Sequence, residues 1–234
     1  MGLREDMRKI AVLASLLGLP FAVQANMITN GGFEAGNIGF SSSYNFIDYD
    51  ANPLFGTPPG SPATGVGQGM FDQGTYTITN VQPGAWHSLW RNNVDLTGHG
   101  WYMLLNGSTT GSSNAWSQNV AGLQTGQMYQ LSFDIFTAFA QDTEPANIQI
   151  SVGGSNVGSV VAPSGAAQWQ NVFLSFTYTG GTDLVSLLNI ETAFSGNDFG
   201  IDNITLNPVP EPFTMALGVL GIGAFVQKRR SSKA

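Results

Sequence analysis

The sequence predicts an all-β domain, an antiparallel two-sheet sandwich, set between an apolar N-terminal segment and a short apolar C-terminal one. Three observations carry this. In Met128–Thr137, Tyr129, Leu131, Phe133 and Ile135 fall on one face while Gln130, Ser132 and Asp134 fall on the other. Such a period of two marks a half-buried strand. The other runs rich in Val, Ile, Phe, Tyr and Thr are also short, and Gly, Asn and Pro separate them. No stretch between residues 26 and 207 shows the 3.6-residue periodicity of an amphipathic helix.

Taken in order, strands are expected at Thr75–Thr79, Gly100–Asn106, Ala115–Val120, Met128–Ala138, Asn147–Val152, Asn156–Val161, Gln168–Thr179, Leu184–Thr192 and Phe199–Leu206. In the seventh, Gln170, Val172, Leu174, Phe176 and Tyr178 share a face. Gly122–Gly126 and Thr179–Thr182 look like hairpin-type connections, and the Pro- and Gly-rich stretch Asp50–Gly74 reads as a long surface loop able to cover a binding face. Strands at this spacing without long helices make a sandwich.

The termini are addresses rather than core. Arg8 and Lys9 precede an apolar stretch from Ile10 to Val23, and Val23-Gln24-Ala25 puts small residues at −3 and −1. This is the pattern of a secretory signal peptide over residues 1–25, cleaved by signal peptidase before Asn26. Glu5 and Asp6 are unusual so early, and Met7-Arg8-Lys9 is the alternative start. At the other end, Pro208-Val209-Pro210-Glu211-Pro212 leads into the 14-residue apolar run Phe213–Val226, then Gln227-Lys228-Arg229-Arg230. As a helix the run covers roughly 21 Å, short of a ~30 Å hydrocarbon core. It lacks a polar stripe, and its basic end is of the kind held on the cytoplasmic side.

Val209, Pro210, Glu211 and Pro212, the short hydrophobic helix and the pair Arg229-Arg230 resemble the PEP-CTERM sorting signal of Gram-negative bacteria. The resemblance covers residues 208–234. It implies recognition by an exosortase, transient membrane anchoring through the C-terminal helix, and delivery to the cell envelope, outer surface or extracellular matrix.

Between the two addresses lies one domain, residues 26–207, long enough to bury a core of its own. Its only Lys or Arg is Arg91, against twelve Asp and Glu, and the chain as a whole has a net charge of −7. Nucleic-acid binding needs several cationic phosphate contacts and is excluded. An acidic, Gly- and Asn-rich exported domain suits neutral polymers or cations. There is no cysteine, which rules out disulfides and thiolate zinc sites.

The opening Asn26-Met27-Ile28-Thr29-Asn30-Gly31-Gly32-Phe33-Glu34 resembles the first strand of galactose-binding-like jelly rolls, among them many carbohydrate-binding modules. Trp116-Ser117-Gln118-Asn119-Val120, Leu123–Phe133 and Asn197–Ile204 echo their later pattern. The resemblance implies a jelly-roll β-sandwich whose first and last strands lie close together. It also implies a structural calcium there, held by Glu34 and Asp202. A second acidic residue often follows that Asp in the family; here it is Asn203.

Carbohydrate binding rests on aromatic faces flanked by hydrogen-bonding groups. The densest such cluster is Trp86-His87-Ser88-Leu89-Trp90-Arg91-Asn92, so Trp86, His87, Trp90 and Arg91 are the expected ligand-binding residues. The competing expectation is that both indoles fill the core and Arg91 pairs with a carboxylate such as Asp95. Trp101 and Trp116 read as core, and Trp169 is open to either role.

Catalytic residues are not expected. No Gly-x-Ser-x-Gly occurs, and His87 and His99 belong to no metal-binding spacing. The leading expectation is therefore a non-catalytic protein binding polysaccharide. A structural matrix or adhesion protein acting by self-association is the alternative, and a glycan-acting enzyme is a more distant one.

Overall fold

The computed structural model describes residues 25–47, 69–141, 144–164 and 167–210. Residues 26–207 form one compact unit; the remainder, residues 1–25 and 208–234, lies almost wholly outside the described residues, as do the expected signal peptide and C-terminal helix. The bulk of the expected surface loop, residues 50–68, also lies outside them.

Among the described residues ten strands follow in chain order: β1 (Asn45–Phe46), β2 (Thr75–Thr79), β3 (Tyr102–Asn106), β4 (Ser113–Asn119), β5 (Met128–Thr137), β6 (Asn147–Val152), β7 (Ser155–Val161), β8 (Gln170–Thr177), β9 (Leu184–Asn189) and β10 (Phe199–Pro208). They build a six-stranded sheet, β1-β2-β3-β10-β5-β8, and a four-stranded sheet, β4-β9-β6-β7. From β3 onward the neighbours are nested: β3 lies beside β10, β4 beside β9, β5 beside β8 and β6 beside β7. That is one long hairpin rolled into two sheets, the jelly-roll topology.

This nesting corrects the reading of two turns. Gly122–Gly126 joins β4 to β5, and Thr179–Thr182 joins β8 to β9, so each crosses from one sheet to the other. The tight hairpin is β6–β7, turned by Gly153 and Gly154 at φ 65° and 85°. Two successive positive φ angles give the twist that adjacent antiparallel strands need, and glycine adopts them without steric cost.

The space between the sheets is filled by the alternating residues the sequence marks, including Tyr129, Leu131, Phe133 and Ile135 from β5, with Trp116, Val185 and Leu187 opposite. A second apolar cluster covers part of the outer face of the six-stranded sheet. Tyr102 and Leu104 alternate with the inward Met103 and Leu105, and Phe136 follows the inward Ile135. On these outward side chains sit Met70, Trp86, Trp90, Val94 and Phe139. The segment around residues 83–94 therefore acts as a third layer over that half of the sheet. Gly200 permits it, because a Cβ there would run into the Phe136 ring.

Candidate functional site

The expected binding cluster is part of this third layer. Trp86 and Trp90 are each only 3% exposed. Trp86 Nε1 donates to Thr79 Oγ1 at 3.0 Å, and Trp90 Nε1 donates to Asp198 Oδ2 at 2.9 Å. Neither ring offers the open face that stacking on a sugar requires, which corrects the expectation that they form the ligand platform. The physical reason is the bare apolar patch of Tyr102, Leu104 and Phe136 on the sheet, which two large indoles cover. His87, half-buried, stacks on Trp90 and touches the exposed Phe71. Arg91 is tied by its backbone, donating to Ala138 O and accepting from Gly84 N. Trp116 is fully buried, as expected, and Trp101 packs against the main core.

The other half of the same outer face, on β10, β5 and β8, is polar. Phe199 and Ile201 point inward, so Gly200 and Asp202 point outward. Asn203 has φ 53°, a left-handed conformation that Asn tolerates, and it leaves Ile204 inward again. Asp202 and Asn203 thus both serve the outer side. Asp202 Oδ1 accepts the Asn203 backbone N–H at 2.7 Å, and Asp202 Oδ2 lies 3.0 Å from His99 Nδ1. Asn203 Nδ2 donates to Asp134 Oδ2 at 2.9 Å, and Asn171 Nδ2 donates to Asp134 Oδ1 at 2.6 Å. Asp134 and Asn171 are paired across β5 and β8. Ser132 and Thr205 join hydroxyls at 2.7 Å.

Aromatic rings border this network. The His99 ring stacks on Trp169, with centroids 4.0 Å apart and planes at 13°. Trp169 is half-buried; it meets Phe136 and Tyr102 edge to face and donates Nε1 to Asp95 O. Phe173, opposite Ser132 on β8, is 67% exposed.

Electrostatics follow burial. Asp202 is 1% exposed, and loss of hydration pushes its carboxyl up to about 8, with the negative charges of Asp134 and Glu34 adding to the rise. Desolvation also holds the His99 imidazole below its ordinary value, against the opposing pull of Asp134 and Asp95. Asp198, buried beneath Trp90, is pushed up to about 6, again by burial.

Of the expected calcium pair, Asp202 lies within this network. Glu34 sits on the opening loop, where its Oε1 accepts the Trp101 backbone N–H at 3.0 Å. The opening segment runs along β10, with Ile204 N donating to Gly31 O and Met27 N to Leu206 O, so first and last segments are adjacent. Among the described residues no three His, Cys, Asp or Glu side chains gather as a metal site. Of the sorting motif, Val209 and Pro210 are described, while Glu211, Pro212, Arg229 and Arg230 lie outside the described residues. Among the described residues no helix is long and apolar enough to cross a membrane.

No protein-family model and no curated protein matches the sequence. Among solved structures, an apo-form cyclase from Fischerella sp. is similar at 18% identity and TM-score 0.47, over 78% of this chain and 95% of that one. A family 16 carbohydrate-binding module is similar at 18% identity and TM-score 0.40, over 77% and 99%. The sugar-binding C-terminal domain of EclA is similar at 18% identity and TM-score 0.36, over 41% and 68%. Likenesses this distant carry no argument about ligand or activity.

Proposed function

We propose that the chain is an exported, non-catalytic protein that binds neutral polysaccharide on the outer face of β10, β5 and β8. The observation that supports this most is Phe173, 67% exposed on a regular strand and bordered by Asn171, Asp134, Ser132 and Thr205. A flat exposed ring stacks on the C–H face of a sugar, and neighbouring amides and hydroxyls bond its hydroxyl groups. The His99–Trp169 stack forms one border of the face. Asp202 is too deeply buried to reach a substrate, which favours binding over acid–base catalysis. Residues 1–25 would direct export through signal peptidase, and residues 208–234 would be read by an exosortase, holding the protein at the membrane until processing and leaving it in the envelope or matrix.

The test is a glycan array probed with the purified chain, followed by affinity electrophoresis on the best hits. Retardation by a neutral polysaccharide supports the reading, and no retention on any glycan removes it.

Calcium belongs to the proposal as a structural ion. Glu34 and Asp202 would supply carboxylate oxygens, the donors a hard cation takes, and Glu34 is near enough for its charge to raise the Asp202 pKa. Among the described residues no three acidic, thiol or imidazole side chains gather as a metal site, so backbone carbonyls and water would complete the shell. A melting temperature that rises when calcium is added to chelator-treated protein, and does not in Asp202→Asn, supports the ion. A flat response in the parent protein removes it.

A further inference from the structure

A two-sheet sandwich has four sheet edges, each a row of backbone donors and acceptors open to another strand. Here two of the four are blunted. The outer edge of β4 is paired by the opening segment: Ser41 and Ser117 exchange backbone hydrogen bonds at 2.8 Å, and Ser43 N donates to Asn114 O. The six-stranded sheet ends on one side in β1, which has only two residues. The other two edges, β7 and β8, lie on the opposite side of the sandwich and have no further strand beside them among the described residues.

These two edges differ. β7 pairs with β6 through a register shift at Ile150/Ser151, an irregularity that twists an edge away from partners. β8 pairs with β5 over eight consecutive residues without a shift. Its sequence, Gln170-Asn171-Val172-Phe173-Leu174-Ser175-Phe176-Thr177, has no charged residue and no proline, so it lacks the usual edge protections. It also presents Phe173 at 67% exposure.

We infer that β8 is a homotypic interface, pairing antiparallel with β8 of a second copy to join the two six-stranded sheets into one. The occupant is a second copy because in a two-fold contact any charge near the middle of the edge would face its own like, and β8 carries none; β7 is uncharged too, and its register shift is what sets it apart. In a chain of net charge −7, this uncharged and regularly paired strand lets two copies approach without repulsion at the contact. Antiparallel pairing about a two-fold axis keeps the two outer faces on the same side, so both Phe173 rings lie on one continuous surface. Two linked sites would hold a repeating polymer more tightly than either alone.

The experiment is sedimentation velocity on the full chain across micromolar concentrations, together with Ser175→Lys and Thr177→Lys on β8 and Asn156→Lys on β7, all at exposed positions. A wild-type mass that doubles with concentration, halved in both β8 variants but not in the β7 variant, is the expected result. Hydrogen exchange should show β8 amides protected in wild type in proportion to dimer. Wild type monomeric throughout overturns the inference. So does association that survives both β8 lysines while the variants keep the wild-type melting temperature, because it would then run through another surface.

Discussion

His99 Nδ1 lies 3.0 Å from Asp202 Oδ2, and this contact ties the loop before β3 to the last strand. Its proton inventory makes stability depend on pH. Asp202 in the folded protein is raised to about 8 from an ordinary 3.8, so across that range the native state keeps a proton that the unfolded chain has released. Stability therefore falls as pH rises, by up to ~1.4 kcal/mol per pH unit. Asp198, raised to about 6, acts in the same direction over the lower part of the range. His99, depressed below 6.5, acts the opposite way as pH falls through the ordinary imidazole range. The window in which Asp202 acts without that opposition is pH 6.5–8. Melting temperatures should decline across it, and Asp202→Asn should flatten the decline. An equal slope in the variant would contradict the assignment.

Trp86 and Trp90 should behave as core. Trp86→Ala removes a buried indole and should cost about 3–5 kcal/mol in urea unfolding. Trp90→Phe keeps most of the volume but strips Asp198 Oδ2 of its 2.9 Å donor, which should cost about 1–3 kcal/mol. If either variant unfolds at the wild-type urea midpoint, the third layer over the sheet is misassigned.

Gly200 is the point where the last strand meets that layer. A Cβ would strike the Phe136 ring, so Gly200→Ala should destabilise by about 1–3 kcal/mol. Adding Phe136→Leu should recover part of the loss, and thermal unfolding of the pair reads it directly.

Much of the sandwich is legible in the sequence, because a strand with one face buried writes its period in the residues. β2 and β6 have the expected limits, and β5 differs by one residue. β1 is too short for any period and pairs in parallel with a distant strand. The sites fared differently, since local pattern cannot tell which face of a sheet another segment covers. Trp86 and Trp90 stand close in sequence and look like a platform, yet the apolar outward side of β3 draws them down. Phe173 carries the opposite signal. It is out of phase with Val172, Leu174 and Phe176, and an apolar residue on the polar phase was a legible mark of an exposed ring. His99, Asp134 and Asp202 come from three separate stretches, and only the fold assembles them.

Phe173 is the side chain on which polysaccharide binding by this face depends most directly. Affinity electrophoresis of wild type, Phe173→Ala and Asn171→Ala against a retained neutral polysaccharide measures it, with unfolding midpoints as the control. Each substitution should weaken retention about tenfold, as a loss of ~1.4 kcal/mol gives, and Phe173→Ala should change stability by no more than ~0.5 kcal/mol. Retention unchanged in both variants would contradict the proposed face.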